Sequence, residues 1–318
     1  MACLICGNGT PAFLCEAQLY PGKTMNLVQC PSCQAAYYDP IPAWEEIAQC
    51  YPHAYFCDFF SQYWKDIYKG RFLAESLTAW KPTGRFLDVG CALGSLLKGV
   101  LDYSDWSVVG VEFSAPAARA GSELNGVEIH AGSLGKCPVQ PESLDYIHMN
   151  NVLEHEADPA GALEAAFTRL KPGGRLHLTI PNGPVDLYPT RALFAKDGKP
   201  RVTRHGGHLF FLSRRSLEKL LRRVGLRILS FRNFHFQSGL KARGLKPGAW
   251  KLFESDLPVI QADRSESMAL EELKKRIGEP PNWSLYRLKS LYRRLWRLSG
   301  TDFGYDFELI AEKPSRAG

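Results

Sequence analysis

The chain has 318 residues, of which 45% are hydrophobic and 23% charged, an ordinary globular composition that excludes a disordered or fibrous protein. No apolar run approaches the roughly 20 residues of a spanning helix, and the first residues lack a basic segment followed by an apolar stretch, so a cytoplasmic protein without a secretory leader is expected. The formal charge of +6 is unevenly placed: 15 basic against 21 acidic residues over 1–200, 22 against 8 over 201–300, and 2 against 4 over 301–318.

The first recognisable unit is a metal-binding pattern. Four of the nine cysteines form two pairs of equal spacing, Cys3-Leu-Ile-Cys6 and Cys30-Pro-Ser-Cys33, with 23 residues between them. Two close cysteines on a tight turn each offer a thiolate to one ion, and two such turns complete a tetrahedral Zn²⁺ site with no open position. Gly7 and Gly9 supply the chain reversal. A redox Cys-x-x-Cys would account for one pair and leave the other unexplained. Residues 1–40 are therefore expected to be a small zinc ribbon that stabilises rather than catalyses. Cys15, Cys50, Cys57, Cys91 and Cys137 lack such spacing and read as ordinary thiols.

Residues 41–80 are rich in aromatics. Phe60, Trp64, Ile67, Tyr68, Phe72, Leu73 and Leu77 recur at helical spacing, which predicts a helix over 58–80 packed on the next domain. From 81 to 236 strands and helices alternate: Arg85–Val89, Ser107–Phe113, Val127–His130, Leu144–Met149 and Arg175–Ile180 as strands, with helices over 95–102, from Ser114, and over 159–170. Lys171-Pro172-Gly173-Gly174 is read as the end of the last of these helices. Such alternation predicts an α/β, Rossmann-like, mostly parallel sheet with helices on both faces, and ligands bound beyond the strands' carboxyl ends.

The loop after the first strand reads Gly90-Cys91-Ala92-Leu93-Gly94, with Asp88 just before it. It lacks the GxGxxG pattern that lets a pyrophosphate approach a helix N-terminus. A carboxylate at Asp88 would repel a pyrophosphate but suits an ammonium group. Glu112, ending the second strand, suits a ribose diol. A cofactor with an amino acid at one end and a nucleoside at the other satisfies both.

Leu87–Gly94, Glu112, the segment Asn150-Asn151-Val152-Leu153-Glu154-His155 and Leu170–Gly174 together resemble the class I S-adenosylmethionine (SAM) dependent methyltransferases over about residues 81–235 and a C-terminal strand. With the cysteine ribbon and aromatic linker, the chain looks like a bacterial subgroup associated with sugars, surface polysaccharides and specialised metabolites. The resemblance implies a seven-stranded sheet. It also implies that Asp88 and the Gly90–Gly94 backbone hold the methionine moiety, Glu112 the ribose hydroxyls, and Phe113 the adenine face. Ser133, beside Leu134, stands where an acidic residue often meets the adenine amine, and Asn150 would border the methyl-donor end. Ala92 replaces a middle glycine, which is compatible with a negative φ at that position.

Methyl transfer to a hydroxyl or activated carbon needs alignment and a base, for which histidine is the usual choice. His155 follows Glu154 in a segment that also resembles ubiquinone-type O-methyltransferases, where acidic residues and a histidine are associated with a metal. Asn151 stands where their first glutamate lies, which weakens a divalent-metal site. His208, in Arg204-His205-Gly206-Gly207-His208, matches one histidine of the Tyr-His-Glu-His run of sugar C-methyltransferases. His205 adds a second candidate beside a Gly-Gly hinge.

Ser213 is expected to cap a helix over Arg214–Val224, with Leu217, Leu220 and Leu221 inward and Arg214, Arg215, Lys219, Arg222 and Arg223 outward. Leu226–Phe231 follows as a strand, and Phe307–Glu312 as a final antiparallel one. Residues 237–302 then form an insertion with helices over 265–277 and 283–298, and 303–318 the last strand and tail. The 283–298 helix carries an apolar stripe among arginines. It is expected to pack on its own domain, with peripheral membrane contact as the other reading. The basic block suggests a small-molecule acceptor that is anionic, such as a phosphorylated one. No Asn/Asp-Pro-Pro-Tyr tetrad or paired core cysteines support nucleic acid. An RNA methyltransferase and a non-catalytic SAM-binding scaffold remain the alternatives.

Overall fold

In the computed structural model the described residues are 2–50, 60–203, 207–245, 270–295 and 303–315. The chain opens with an antiparallel hairpin, β1 (Ala12–Tyr20) and β2 (Lys23–Gln29), and β3 (Ala36–Tyr38) adds to β2. A short helix, α1 (Trp44–Ala48), precedes α2 (Tyr63–Trp80). The second helix begins later than its apolar spacing predicts, because 60–62 form a single 3₁₀ turn and 58–59 lie outside the described residues.

The strand–helix repeat follows: β4 (Arg85–Val89), α3 (Ser95–Asp102), β5 (Ser107–Glu112), α4 (Ala115–Asn125), β6 (Ile129–Ala131), β7 (Leu144–Asn150), α5 (Pro159–Arg169) and β8 (Leu170–Pro181). Beyond it lie α6 (Gly183–Asp186), α7 (Tyr188–Asp197), β9 (Phe210–Phe211), α8 (Arg214–Val224), β10 (Arg227–Phe234) and α9 (Phe236–Ala242). The insertion contributes α10 (Leu270–Ile277) and α11 (Trp283–Leu295), and β11 (Asp306–Glu312) ends the described elements. The expected helix starts at 265–269 and the stretch 296–298 lie outside the described residues.

Seven strands form one sheet in the order β10-β11-β8-β7-β4-β5-β6. The β8-β7-β4-β5-β6 pairs are parallel, and β11 runs antiparallel to both β8 and β10. This is the Rossmann-like α/β fold expected from the alternation. The strands step outward from β4 through β5 to β6, and the chain then returns to pair β7 with β4. That reversal opens the crevice where such sheets bind ligands.

Ser213 caps its helix as expected, its Oγ accepting from Ser216 N–H, whereas Ser114, read as the first helical residue, lies just outside and caps through Ala117 N–H. Lys171–Gly174, by contrast, does not form a turn after α5: it lies inside β8. Its backbone finds partners in the chain beyond β11, where Gly173 N–H donates to Lys313 O (2.8 Å) and Lys313 N–H to Gly174 O (2.9 Å). Those bonds come from 140 residues away and leave no trace in the local pattern.

α2 and α3 touch backbone to backbone. An added Cβ at Gly99 would lie 2.2 Å from Ile67 O, and one at Gly70 would lie 2.3 Å from Leu96 O. No side chain yields there, so Gly99→Ala must separate two helices. It is expected to cost about 3 kcal/mol or more, read as a lowered urea midpoint with unchanged slope. A midpoint within error of wild type would show the crossing to be looser than described.

The cysteine module is not a bead on a string. Its sheet has the order β1-β2-β3-β9, and β9 comes from the core. Ile5, Leu27, Tyr37 and Tyr38 share one buried cluster with Phe210, Leu212, Leu217 and Leu309. Nor does all of α8's basic face point to solvent. Lys219 Nζ donates to Ser32 O (3.2 Å) and Oγ (3.0 Å), and Arg223 Nη1 to Ile5 O (3.4 Å).

The described helices of the insertion pack beside the Gly90–Gly94 loop, α4 and α2. Leu273 of α10 packs with Phe60, Leu93 and Ala117, while Trp283 and Tyr286 of α11 pack on Tyr68 and Phe72 of α2. The guanidinium of Arg71 lies 4.2 Å from the ring centroid of Trp283 and 4.4 Å from that of Tyr103. Leu285 and Leu288 on α11 remain exposed. Among the described residues no helix is long and apolar enough to cross a membrane.

Candidate active site

Asp88 is the penultimate residue of β4 and is buried, with one carboxylate oxygen accepting from His148 Nδ1–H at 2.7 Å. His148 is its neighbour in register on β7. The loop that follows turns sharply: Gly90 and Gly94 both have positive φ, 70° and 69°. At Gly90 a Cβ would lie 2.6 Å from Val152, so only glycine lets this loop rest on the segment after β7.

Ala92 departs from the expectation. Its φ is +48°, not negative. The cost is offset by a specific bond, Ala92 N–H to Glu112 Oε2 at 2.8 Å, while Glu112 Oε1 accepts from Ser114 N–H at 2.9 Å. Glu112 is buried at the end of β5 and thus shapes the loop as well as facing the crevice.

The loop amides are already committed. Gly90 and Cys91 N–H donate to Val111 O, and Gly94 N–H to Cys91 O. A phosphate cradle needs such donors free, so these do not fit a pyrophosphate. What the loop brings to the crevice is two carboxylates, Asp88 and Glu112, which fit an ammonium and a diol.

Phe113, just past Glu112, is 53% exposed and meets Trp44 of α1, 49% exposed, with ring centroids 4.7 Å apart. Ser133 is half-buried at the start of a 3₁₀ turn, whereas the Leu134 side chain is buried in the core. Asn150 ends β7 and is exposed; Asn151 after it takes a φ of +53°.

Across the crevice lies a cluster that the sequence only half revealed. His208 is buried, and its Nδ1–H donates to Asp186 Oδ2 at 2.8 Å. The Tyr305 hydroxyl donates to the other oxygen of Asp186. His208 Nε2 lies 3.9 Å from Glu154 Oε1. Glu154 is 1% exposed, and among the described residues neither of its carboxylate oxygens has a hydrogen-bond partner. His155 stands beside them, its ring centroid 4.8 Å from that of His208 and its Nδ1–H donating to Gly207 O at 2.9 Å. Asp306, bonded by His235 Nδ1 at 2.5 Å, completes the rim. His205 lies outside the described residues.

Burial pushes the Glu154 carboxyl up to about 7, against the opposing pull of His208. For His208 burial alone would lower the pKa. The charge and hydrogen bond of Asp186, with the charges of Glu154 and Asp306, outweigh it and raise the value above the ordinary 6.5.

Two donor sets can be tested against a metal. Cys3 Sγ–Cys33 Sγ is 3.7 Å and Cys6 Sγ–Cys30 Sγ is 3.8 Å. Tetrahedral zinc with Zn–S near 2.3 Å requires sulfurs about 3.8 Å apart, so the four thiols fit. The Glu154–His155–His208 group does not fit as it stands. Its Glu154–His155 and Glu154–His208 separations are 4.0 and 3.9 Å, whereas N and O ligands at about 2.1 Å sit roughly 3.0–3.4 Å apart. Those spacings are too long for a direct hydrogen bond as well, so the three groups act on one another through charge.

Asp186, Tyr305 and Asp306 were not foreseen. Asp186 follows the carboxyl end of β8, and Tyr305 directly precedes β11, which begins at Asp306, so the signal available was a polar residue at each strand's crevice-side edge. His148 was hidden in the same way, inside a strand read only for its apolar content.

A model of the family described as "Methyltransferase domain" matches residues 61–230. Among curated proteins, the ubiquinone biosynthesis O-methyltransferase of Ruegeria pomeroyi is 32% identical over 163 residues, covering 48% of this chain and 63% of that protein. The cycloartenol-C-24-methyltransferase 1 of Oryza sativa subsp. japonica is 32% identical over 112 residues, covering 32% of this chain and 31% of that one. The chain thus spans about a third to just under two thirds of the length of such relatives. Of solved structures, phosphoethanolamine N-methyltransferase 2 of Haemonchus contortus, in complex with SAM, aligns with a TM-score of 0.49 at 16% identity, over 88% of this chain and 62% of that one.

Proposed function

The chain belongs to the methyltransferase domain family, and we propose that the protein moves a methyl group from SAM to a hydroxyl or activated carbon of a small molecule such as a sugar, a glycoconjugate or a specialised metabolite. The Tyr305–Asp186–His208 relay beside the Asp88/Glu112 crevice carries this reading. SAM, when bound, supplies an electrophilic methyl group on a sulfonium. Asp88 and the Gly90–Gly94 turn would hold its methionine end, Glu112 the ribose, Phe113 and the Ser133–Leu134 backbone the adenine, and Asn150 the reacting end.

The chain's own chemistry is on the acceptor side. Asp186 takes the Nδ1 proton of His208 as a hydrogen bond, which fixes the tautomer and leaves Nε2 to accept the acceptor's proton. Tyr305 holds Asp186 in turn. Glu154, 3.9 Å from Nε2, would stabilise the imidazolium through its charge once the proton has been taken up. His155 would wall the acceptor pocket, fastened through Gly207.

Three acidic side chains, Glu154, Asp186 and Asp306, crowd this cleft. They favour an uncharged acceptor over the phosphorylated one that the charge distribution suggests, and they disfavour RNA. Part of the basic block instead faces the four-cysteine site, whose thiolates with one Zn²⁺ would carry two negative charges. That zinc would be structural, held by Cys3, Cys6, Cys30 and Cys33.

A panel of sugar, phenolic and β-dicarbonyl acceptors with isotope-labelled SAM tests the function. Turnover on any class supports it, and SAM binding without turnover on all of them favours a scaffold. Glu112→Gln is expected to weaken SAM binding about 100-fold, since it loses charged hydrogen bonds to the diol and releases the strained Ala92. Calorimetry checks this, and an unchanged affinity would move the ribose elsewhere.

A further inference from the structure

The segment that carries His208 is held from the cysteine module on both sides. Upstream of the histidine, Gln18 of β1 donates its N–H to Arg201 O at 2.8 Å and forms a bridge with Val202. The Tyr38 hydroxyl donates to Gln18 O at 3.3 Å on the same side. Downstream, β9 pairs with β3, Ala36 opposite Phe211 and Tyr37 opposite Phe210, and Tyr38 N–H donates to Leu209 O at 3.4 Å. Ser213 Oγ closes the run by donating to Cys33 O, a metal-site residue, at 2.9 Å.

The core adds bonds downstream as well: Leu209 N–H to Glu154 O and Gly183 N–H to Leu212 O. The upstream end leans on β1. Arg201 is also tied to Asp197 by an ion pair of side chains; the bonds to β1 are what fix the backbone there, and without them that backbone regains conformational entropy, against which one His208–Asp186 bond is a weak restraint.

We propose that the four-cysteine module is the clamp that seats His208 in the cleft, its metal-held sheet gripping the strap that carries it at 201–203 and at 209–213. Gln18, Tyr37 and Tyr38 are then positioning residues for the acid–base group, although none of them touches it. The proposal draws its catalytic meaning from the reading of His208 as the base, but its geometry is testable alone.

Gln18 sits on an edge strand with its N–H turned to the strap, where proline is tolerated; Gln18→Pro deletes that one bond. Among the described residues, two buried histidines donate Nδ1 protons to carboxylates, His208 to Asp186 and His148 to Asp88 within the sheet, and the exposed His235 donates to Asp306. In histidine-¹⁵N-labelled full-length protein each gives a low-field resonance, assigned by His208→Gln and His148→Gln.

In Gln18→Pro, and in wild type stripped of zinc under reducing conditions, we expect the His208 signal to exchange at least about tenfold faster or vanish. The His148 signal and the affinity for S-adenosylhomocysteine should hold. A His208 signal unchanged in both samples overturns the clamp, as does joint loss of His148 and His208, which would mean one indivisible core. Protein that purifies without zinc overturns the metal reading and leaves Gln18→Pro to decide the clamp. Loss of turnover in His208→Gln is a separate result and bears on the base alone.

Discussion

Replacing His208 by glutamine is expected to lower the methyl-transfer rate by about 10²–10⁴-fold, the usual worth of a positioned acid–base group, with SAM affinity within about twofold of wild type. The separation of the two effects follows from the fold. Asp88 and Glu112 end β4 and β5, whereas His208 and its partners gather at the ends of β7, β8 and the start of β11. Glutamine keeps much of the volume and a hydrogen-bond donor for Asp186, so the buried carboxylate is not stranded.

The pH profile carries the signature of the environment. A base must be deprotonated to act, and the neighbouring carboxylates raise the His208 pKa. The wild-type rate should therefore climb through a pH above the ordinary 6.5 and level off beyond it, and the limb should vanish in the variant. Rates for wild type and variant over about pH 6 to 9 decide this. An intact rate in His208→Gln would leave alignment alone as the source of catalysis.

Removal of zinc is the second large effect expected. Metal analysis under reducing conditions should return one zinc per chain, and Cys33→Ser should lose it. Chelation should unfold residues 2–38 while β4–β8 keep their amide protection. Metal binding of this kind supplies on the order of 10 kcal/mol in isolated zinc modules, more than a hairpin and one short strand could recover by burial. Cys3, Cys30 and Cys33 are buried with sulfurs at metal-binding separation; a bound cation is what would hold them there as thiolates. A folded ribbon in metal-free protein would show that docking on α8 and β9 suffices.

Much of this molecule is legible in its residues because the governing interactions are local. β4 and α3 begin and end where the apolar run and the Gly90–Gly94 turn put them, and Ser213 caps the helix it precedes. The four cysteines declare themselves by spacing. The misreadings share a cause: the deciding partner is far along the chain. Lys171–Gly174 looks like a helix stop until Lys313 pairs with it. Ala92 looks tolerant of negative φ until Glu112 pulls its N–H round. β9 is two residues long, too short for any periodicity, and exists because β3 offers an edge. At the site, His155 and His208 were named from motif position, but Asp186 and Tyr305 are 119 residues apart and meet only through the sheet order.

β11 bears on how the molecule is made. It is threaded between β8 and β10 rather than laid on an edge, and it brings Tyr305 and Asp306 with it. During synthesis the ribosome must deliver β10 and more than 60 further residues before the gap beside β8 can close. Until then two strand edges stay open, and the relay around His208 lacks its final members. The slow step of folding is thus tied to the last strand by topology, and a nascent chain cannot become active before its final strand has left the ribosome.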